Sequence, residues 1–150
     1  MNWLKTVLAV FALLHVLFGL YGLYAPLQMA QIVELEARTA GAIGEIRAIY
    51  GGLFLALGLV IARGWFGGPL AAAWLRVVAM GYAGLFVGRV ASVAVDGPSG
   101  YTIFAGAFEI VIAGFFAWAA NQLRAEGGPV ATPAGSYPSD SADDVVGNRQ

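Results

Sequence analysis

The chain has 150 residues, 59% hydrophobic and 11% charged, with net charge −1 and mean hydropathy +0.75. Soluble domains carry about 25% charged residues, so this is the composition of a membrane protein. Near-zero charge supplies no basic field for nucleic acid, and the absence of cysteine excludes disulfides, thiolate metal sites and cysteine nucleophiles. His15 is the single histidine, which excludes a multi-histidine metal or di-haem site.

The first apolar run covers residues 3–24 and stops at Ala25-Pro26, because proline disfavours a helical residue before it. Lys5 ahead of the run and Gln28-Met29-Ala30 after it also have the outline of a cleavable secretory signal. The run is longer than a signal core of about 7–15 residues. His15, Gly19 and Gly22 moreover recur at i, i+4 and i+7 as one packing face, so a retained helix is expected. Residues 27–42 mix Glu34, Glu36 and Arg38 with apolar neighbours and read as a short interfacial helix. A second span is predicted over residues 44–65, ended by Gly67-Gly68-Pro69. A third covers residues 69–95, with Pro69 in its first turn and Asp96-Gly97-Pro98-Ser99-Gly100 as its stop. The fourth covers residues 101–123.

Each run has about 20 residues, the length that crosses about 30 Å of hydrocarbon at about 1.5 Å per residue. Apolar residues are continuous rather than alternating, which argues against strands. From Glu126 onward Gly, Pro, Ser, Thr and Asp take over, and such a segment cannot bury enough apolar area to offset its ordering entropy. The expected fold is therefore all-α: a four-transmembrane-helix bundle over residues 1–124 with a short interfacial segment, then a disordered C-terminal tail over 125–150. Lys5, Arg63 and Arg124 flank the spans on one side, so the positive-inside rule predicts cytoplasmic N- and C-termini.

Two residues carry the functional signal. Arg89 lies inside the third span and Glu109 inside the fourth, where ionisable groups are costly and face the bundle interior. Arg89 is seven residues before Asp96 and Glu109 eight after Tyr101, which puts both about 10–12 Å below the same boundary. An ion pair between antiparallel neighbours is the expected geometry. Arg47 enters the second span from the same side, and Arg47, Tyr50, Gly51, Phe54 and Gly58 share one helical face. Arg89, Ser92 and Asp96 share a face of the third span, beside a stripe of Gly81, Gly84 and Gly88 suited to close helix packing. Two arginines against one glutamate leave a positive excess that lipid cannot solvate, so Arg47, Tyr50, Arg89, Ser92, Asp96, Glu109 and His15 are the candidate ligand-binding residues. An exclusively structural network, with Asp96 neutralising Arg47, is the competing reading.

The stretch Gly44-Glu45-Ile46-Arg47-Ala48-Ile49-Tyr50-Gly51-Gly52, with Gly88-Arg89, Asp96-Gly97-Pro98 and Glu109, resembles a bacterial family of small four-helix membrane proteins. That family is a domain of unknown function, distantly similar to DoxX-like proteins. The resemblance covers about residues 1–123, implies a multi-pass protein of the bacterial inner membrane, and brings no activity with it. Some DoxX-like relatives are linked to quinone or sulfur redox chemistry, a link that a chain without cysteine does not support.

Three functions are compatible with these residues. The first is binding or translocation of a small anionic or amphipathic ligand. The second is an accessory subunit that packs against a helix partner or a second copy. The third is an intramembrane enzyme on a lipid- or quinone-like substrate, with Glu109 and His15 as acid and base. No nucleophile–base spacing, phosphate loop or metal motif supports the third, and no cofactor is expected.

Overall fold

The computed structural model describes residues 2–126; positions 125 and 126 of the predicted tail are the last of the final helix, and the rest of that tail lies outside the described residues. Six α-helices follow one another: α1 (Asn2–Tyr24), α2 (Pro26–Ile32), α3 (Ala40–Ile46), α4 (Phe54–Trp65), α5 (Ala71–Asp96) and α6 (Gly100–Glu126). A π-helical segment, Arg47–Leu53, joins α3 to α4 without a break, so four helices are long and apolar enough to cross a membrane. The chain is a multi-pass membrane protein. Large apolar side chains such as Met80, Val87, Phe104 and Val111 stand exposed along every span. A soluble bundle would bury that face, whereas hydrocarbon accepts it.

Local chemistry explains where the helices begin and end. Pro26 opens α2 at its first position, where a missing N–H costs nothing. Thr39 caps α3 by accepting the Ala42 N–H at 3.1 Å, which starts the second span four residues before its expected position. Pro69 does not open the third span. It follows Gly68 in a turn closed by Ala71 N–H to Gly68 O at 3.1 Å, with Leu70 at φ −101°, ψ 1°, and the helix begins at Ala71. Ser99 caps α6 by accepting the Thr102 N–H at 3.0 Å.

The interfacial helix is shorter than expected. Only Pro26–Ile32 is helical, and Glu34, Glu36 and Arg38 lie in the loop beyond it, with Glu34 at φ 55°. An exposed Arg38–Glu36 pair at 2.8 Å occupies that loop. Met29, Ala30 and Val33 are buried with Ile46, packed by Phe18, Tyr50 and Tyr101, so α2 folds over one end of the bundle.

Packing is uneven along the bundle. Helix α1 lies against the π segment and α4, α4 meets α5, and α5 runs beside α6. At Gly19 a Cβ would fall 2.5 Å from the Leu55 nitrogen, and at Gly22 2.6 Å from the Tyr50 carbonyl carbon. These two glycines set how closely α1 approaches the second span. At the Lys5 end a solid core forms from Leu4, Leu8, Ile61, Leu75, Val78 and Phe116, all nearly inaccessible. Trp3 stacks on Trp118 and Phe11 on Phe115, which joins α1 to α6. The expected packing stripe on α5 is absent from this interior: Gly81, Gly84 and Gly88 are exposed, with nothing within 4 Å of a Cβ placed on any of them.

Candidate functional site

Toward the α2 end the solid core gives way to a cavity of about 310 Å³. Seven aromatic side chains line it: Phe18, Tyr50, Phe54, Tyr82, Tyr101, Phe104 and Phe108. Phe54 organises one wall, its ring centroid 4.8 Å from Phe18, 5.9 Å from His15 and 6.2 Å from Tyr50. The roof is the end of α2, through Ile32 and Val33.

Two polar pairs sit in this apolar surround. His15 Nδ1 is 2.7 Å from the Phe11 carbonyl, which can only accept, so this nitrogen carries the proton. In the neutral ring Nε2 then accepts from the Tyr82 hydroxyl at 2.5 Å. Both residues are almost fully buried near mid-span. The second pair joins Arg89 Nε to Glu109 Oε1 at 3.3 Å, with the guanidinium carbon 5.1 Å over the Tyr101 ring. The Glu109 side chain is 7% exposed and that of Arg89 26%. Among the described residues, Glu109 Oε2 is the buried side-chain polar atom left without a hydrogen-bond partner. A carboxylate oxygen in that condition carries a desolvation cost of about 1–3 kcal/mol or more.

The lining residues that are also exposed are Leu14, Ile32, Ile49, Phe104 and Phe108, all apolar. They mark the mouth. The most exposed part of the lining is therefore apolar, while His15, Tyr82 and Glu109 are its buried polar groups. A smaller hollow of about 200 Å³ lies between α5 and α6, lined by Arg89, Phe86, Thr102 and Gly106 among others.

Of the sequence candidates, His15, Tyr50, Arg89 and Glu109 line the larger cavity and Arg47, Ser92 and Asp96 do not. Arg47 is exposed and donates from Nε to the Leu23 carbonyl at 3.3 Å, fastening the π segment to the end of α1. Ser92 donates to Asp96 at 3.2 Å in an exposed pair along α5. The expected contact of Asp96 with Arg47 is not formed. The cavity thus holds one arginine and one glutamate, and the positive excess expected from two arginines is absent from it. The cause is the π segment, whose wider turn breaks the 3.6-residue face that aligned Arg47 with Tyr50 and Phe54. Gly51 is diverted with it, against Leu23, and Gly58 packs on Val16.

Tyr82 and Tyr101 went unselected by the sequence reading, while Phe54 was placed on the shared face with Tyr50 but not among the ligand-binding residues. Tyr82 carried a usable signal, since membrane tyrosines favour the interfaces and this one lies mid-span. Phe18, Phe104 and Phe108 carried none. Metal chemistry has no obvious seat here: among the described residues no three histidine, aspartate or glutamate side chains gather.

A four-span bundle with one packed end and one hollow, aromatic-lined end defines a small multi-pass membrane protein. Residues 3–120 match the family described as Domain of unknown function (DUF4345), and the chain belongs to that family. The match speaks for that family and leaves the distant DoxX-like relation without support. No curated protein and no solved structure matches the chain.

Proposed function

We propose that this protein binds a small amphipathic molecule drawn sideways from the membrane into the cavity beneath α2. The supporting observation is the polarity gradient, an apolar mouth leading to the buried His15–Tyr82 and Arg89–Glu109 pairs. Ligand sites of about 300–1,000 Å³ are usually apolar with a few convergent polar groups, and this cavity has that composition at the small end of the range. At about 30 Å³ per water-sized group, it holds about ten heavy atoms. A ring with a short substituent fits inside; a two-chain phospholipid does not.

A bacterial inner membrane with both termini in the cytoplasm is the setting we assign. Four basic residues, Lys5, Arg63, Arg76 and Arg124, lie toward the packed end, against two, Arg38 and Arg47, toward the hollow end. That charge asymmetry favours the packed end inside. A second reading, an accessory subunit, draws on the uncovered Gly81, Gly84 and Gly88 stripe, which suits a helix of a partner or a second copy.

The test of the binding reading is mass spectrometry of the protein purified from membranes, beside an Ala105→Phe variant that fills the cavity. Wild type should carry a small amphipathic species that the variant loses while its helical circular dichroism is unchanged. An identical set of co-purified molecules in both would refute it.

A further inference from the structure

The Arg89–Glu109 pair is balanced in charge but not in hydrogen bonds. Oε1 of Glu109 takes the Arg89 Nε–H at 3.3 Å, and Oε2, buried with it, takes nothing. Glu109 is 5% exposed as a residue and lines the cavity, so this unsatisfied acceptor belongs to the cavity wall. A guanidinium has five N–H groups, and Nε supplies only the one spent on Oε1. Arg89, on the same wall, therefore has donors left beside an acceptor that is also left over.

A carboxylate or phosphate head would answer the arginine and meet Glu109 as a like charge in a site already neutral, which low dielectric penalises. An ether or ester head would answer the arginine and leave Oε2 as it is. A hydroxyl does both, donating its proton to Oε2 while its oxygen accepts from the guanidinium. Hydroxyl oxygen and carboxylate then form a charge-assisted bond, the stronger kind. Around the head the walls are aromatic: Tyr101 lies under Arg89, and Phe104 and Phe108 flank the way in on the same helix as Glu109. Offset or edge contacts with these rings favour a flat unsaturated ring over a saturated chain.

Resting on the binding reading above, we infer that the ligand's head is an uncharged hydroxyl on an aromatic ring, a phenol-type group, seated between Glu109 Oε2 and Arg89 with its alkyl part directed to the mouth. The head is chosen by hydrogen-bond complementarity, and the charge pair serves to exclude anions. Specificity of this kind is steep, because a site built for a hydroxyl leaves buried polar groups unpaired when the analogue lacks it.

The experiment uses the full-length protein in lipid nanodiscs and titrates three probes with one ring and one tail: para-octylphenol, para-octylanisole and para-octylbenzoate. Saturable binding is measured above that of empty nanodiscs. The phenol should bind at least about tenfold more tightly than the anisole, which lacks the donor, and than the benzoate, which brings the charge. In Glu109→Gln the order should invert toward the benzoate, since the arginine is then without its anion. Equal binding of phenol and anisole, or tighter binding of benzoate to wild type, overturns the inference about the head while leaving the cavity as a binding site. No saturable binding of any probe overturns the binding reading itself, and the inference with it. The wild-type series decides the matter even if the Glu109 variant does not fold.

Discussion

Replacing Arg89 with leucine removes the one partner of a carboxylate that is 7% exposed and has no second hydrogen bond to fall back on. Breaking a buried pair from one side costs about 3–5 kcal/mol, because the surviving charge is left uncompensated. The reciprocal change, Glu109→Gln, is gentler. Arg89 keeps its place over Tyr101, a cation–π contact of about 0.5–1 kcal/mol, and its side chain is 26% exposed. Loss of a charged hydrogen bond alone sets that cost at about 1.5–3 kcal/mol. The double variant retains neither charge, so its destabilisation should fall short of the sum of the single effects by about 2 kcal/mol. Equilibrium unfolding in mixed detergent micelles, followed by tryptophan fluorescence, gives all four free energies. Additive single effects would show that Arg89 and Glu109 do not act as partners and would refute the reasoning.

The glycines of α1 and α5 should respond in opposite ways. Gly22→Val puts carbon against the Tyr50 backbone and should destabilise by about 3 kcal/mol or more, whereas Gly84→Ala, open to the outside, should leave monomer stability unchanged or slightly higher by the same unfolding assay. Tyr82→Phe leaves His15 Nε2 without its partner and should cost about 1–3 kcal/mol with no change in helix content. For orientation, single cysteines at Gln28 and Ala125, both exposed in a chain without cysteine, should differ in intact cells. A membrane-impermeant maleimide should label position 28 only, and labelling of position 125 would reverse the assignment.

The spans and the Arg89–Glu109 pair were legible because each rests on a count of residues from a turn. Gly67-Gly68-Pro69 and Asp96-Gly97-Pro98 fix where α5 starts and stops, and a rise of about 1.5 Å per residue then fixes depth. Rotation about a helix axis is harder to read. It follows from hydrophobic asymmetry in a soluble helix, but α1 and α5 are apolar nearly all round and have no preferred side. Arg47, in the second span, was placed by spacing alone, and the π segment beginning at that residue turned it outward. The glycines at 81, 84 and 88 were misplaced for the same reason, since small residues at helical spacing say that something approaches closely but not what. Helix α2 was half-legible: a short interfacial helix was expected over residues 27–42, while the charged residues drawn into it belong to the loop.

The division of the bundle into a packed half and a hollow half bears on electrical behaviour. Ions crossing through the interior would have to part Phe116, Ile61, Leu75 and Leu8, which fill the packed half without polar interruption. That half blocks the passage of ions from one face of the bundle to the other. The Arg89–Glu109 pair on the other side carries no net charge, so a change in membrane voltage exerts little net force on it. The uncharged ligand proposed above should therefore bind with an affinity that does not change as the membrane is polarised.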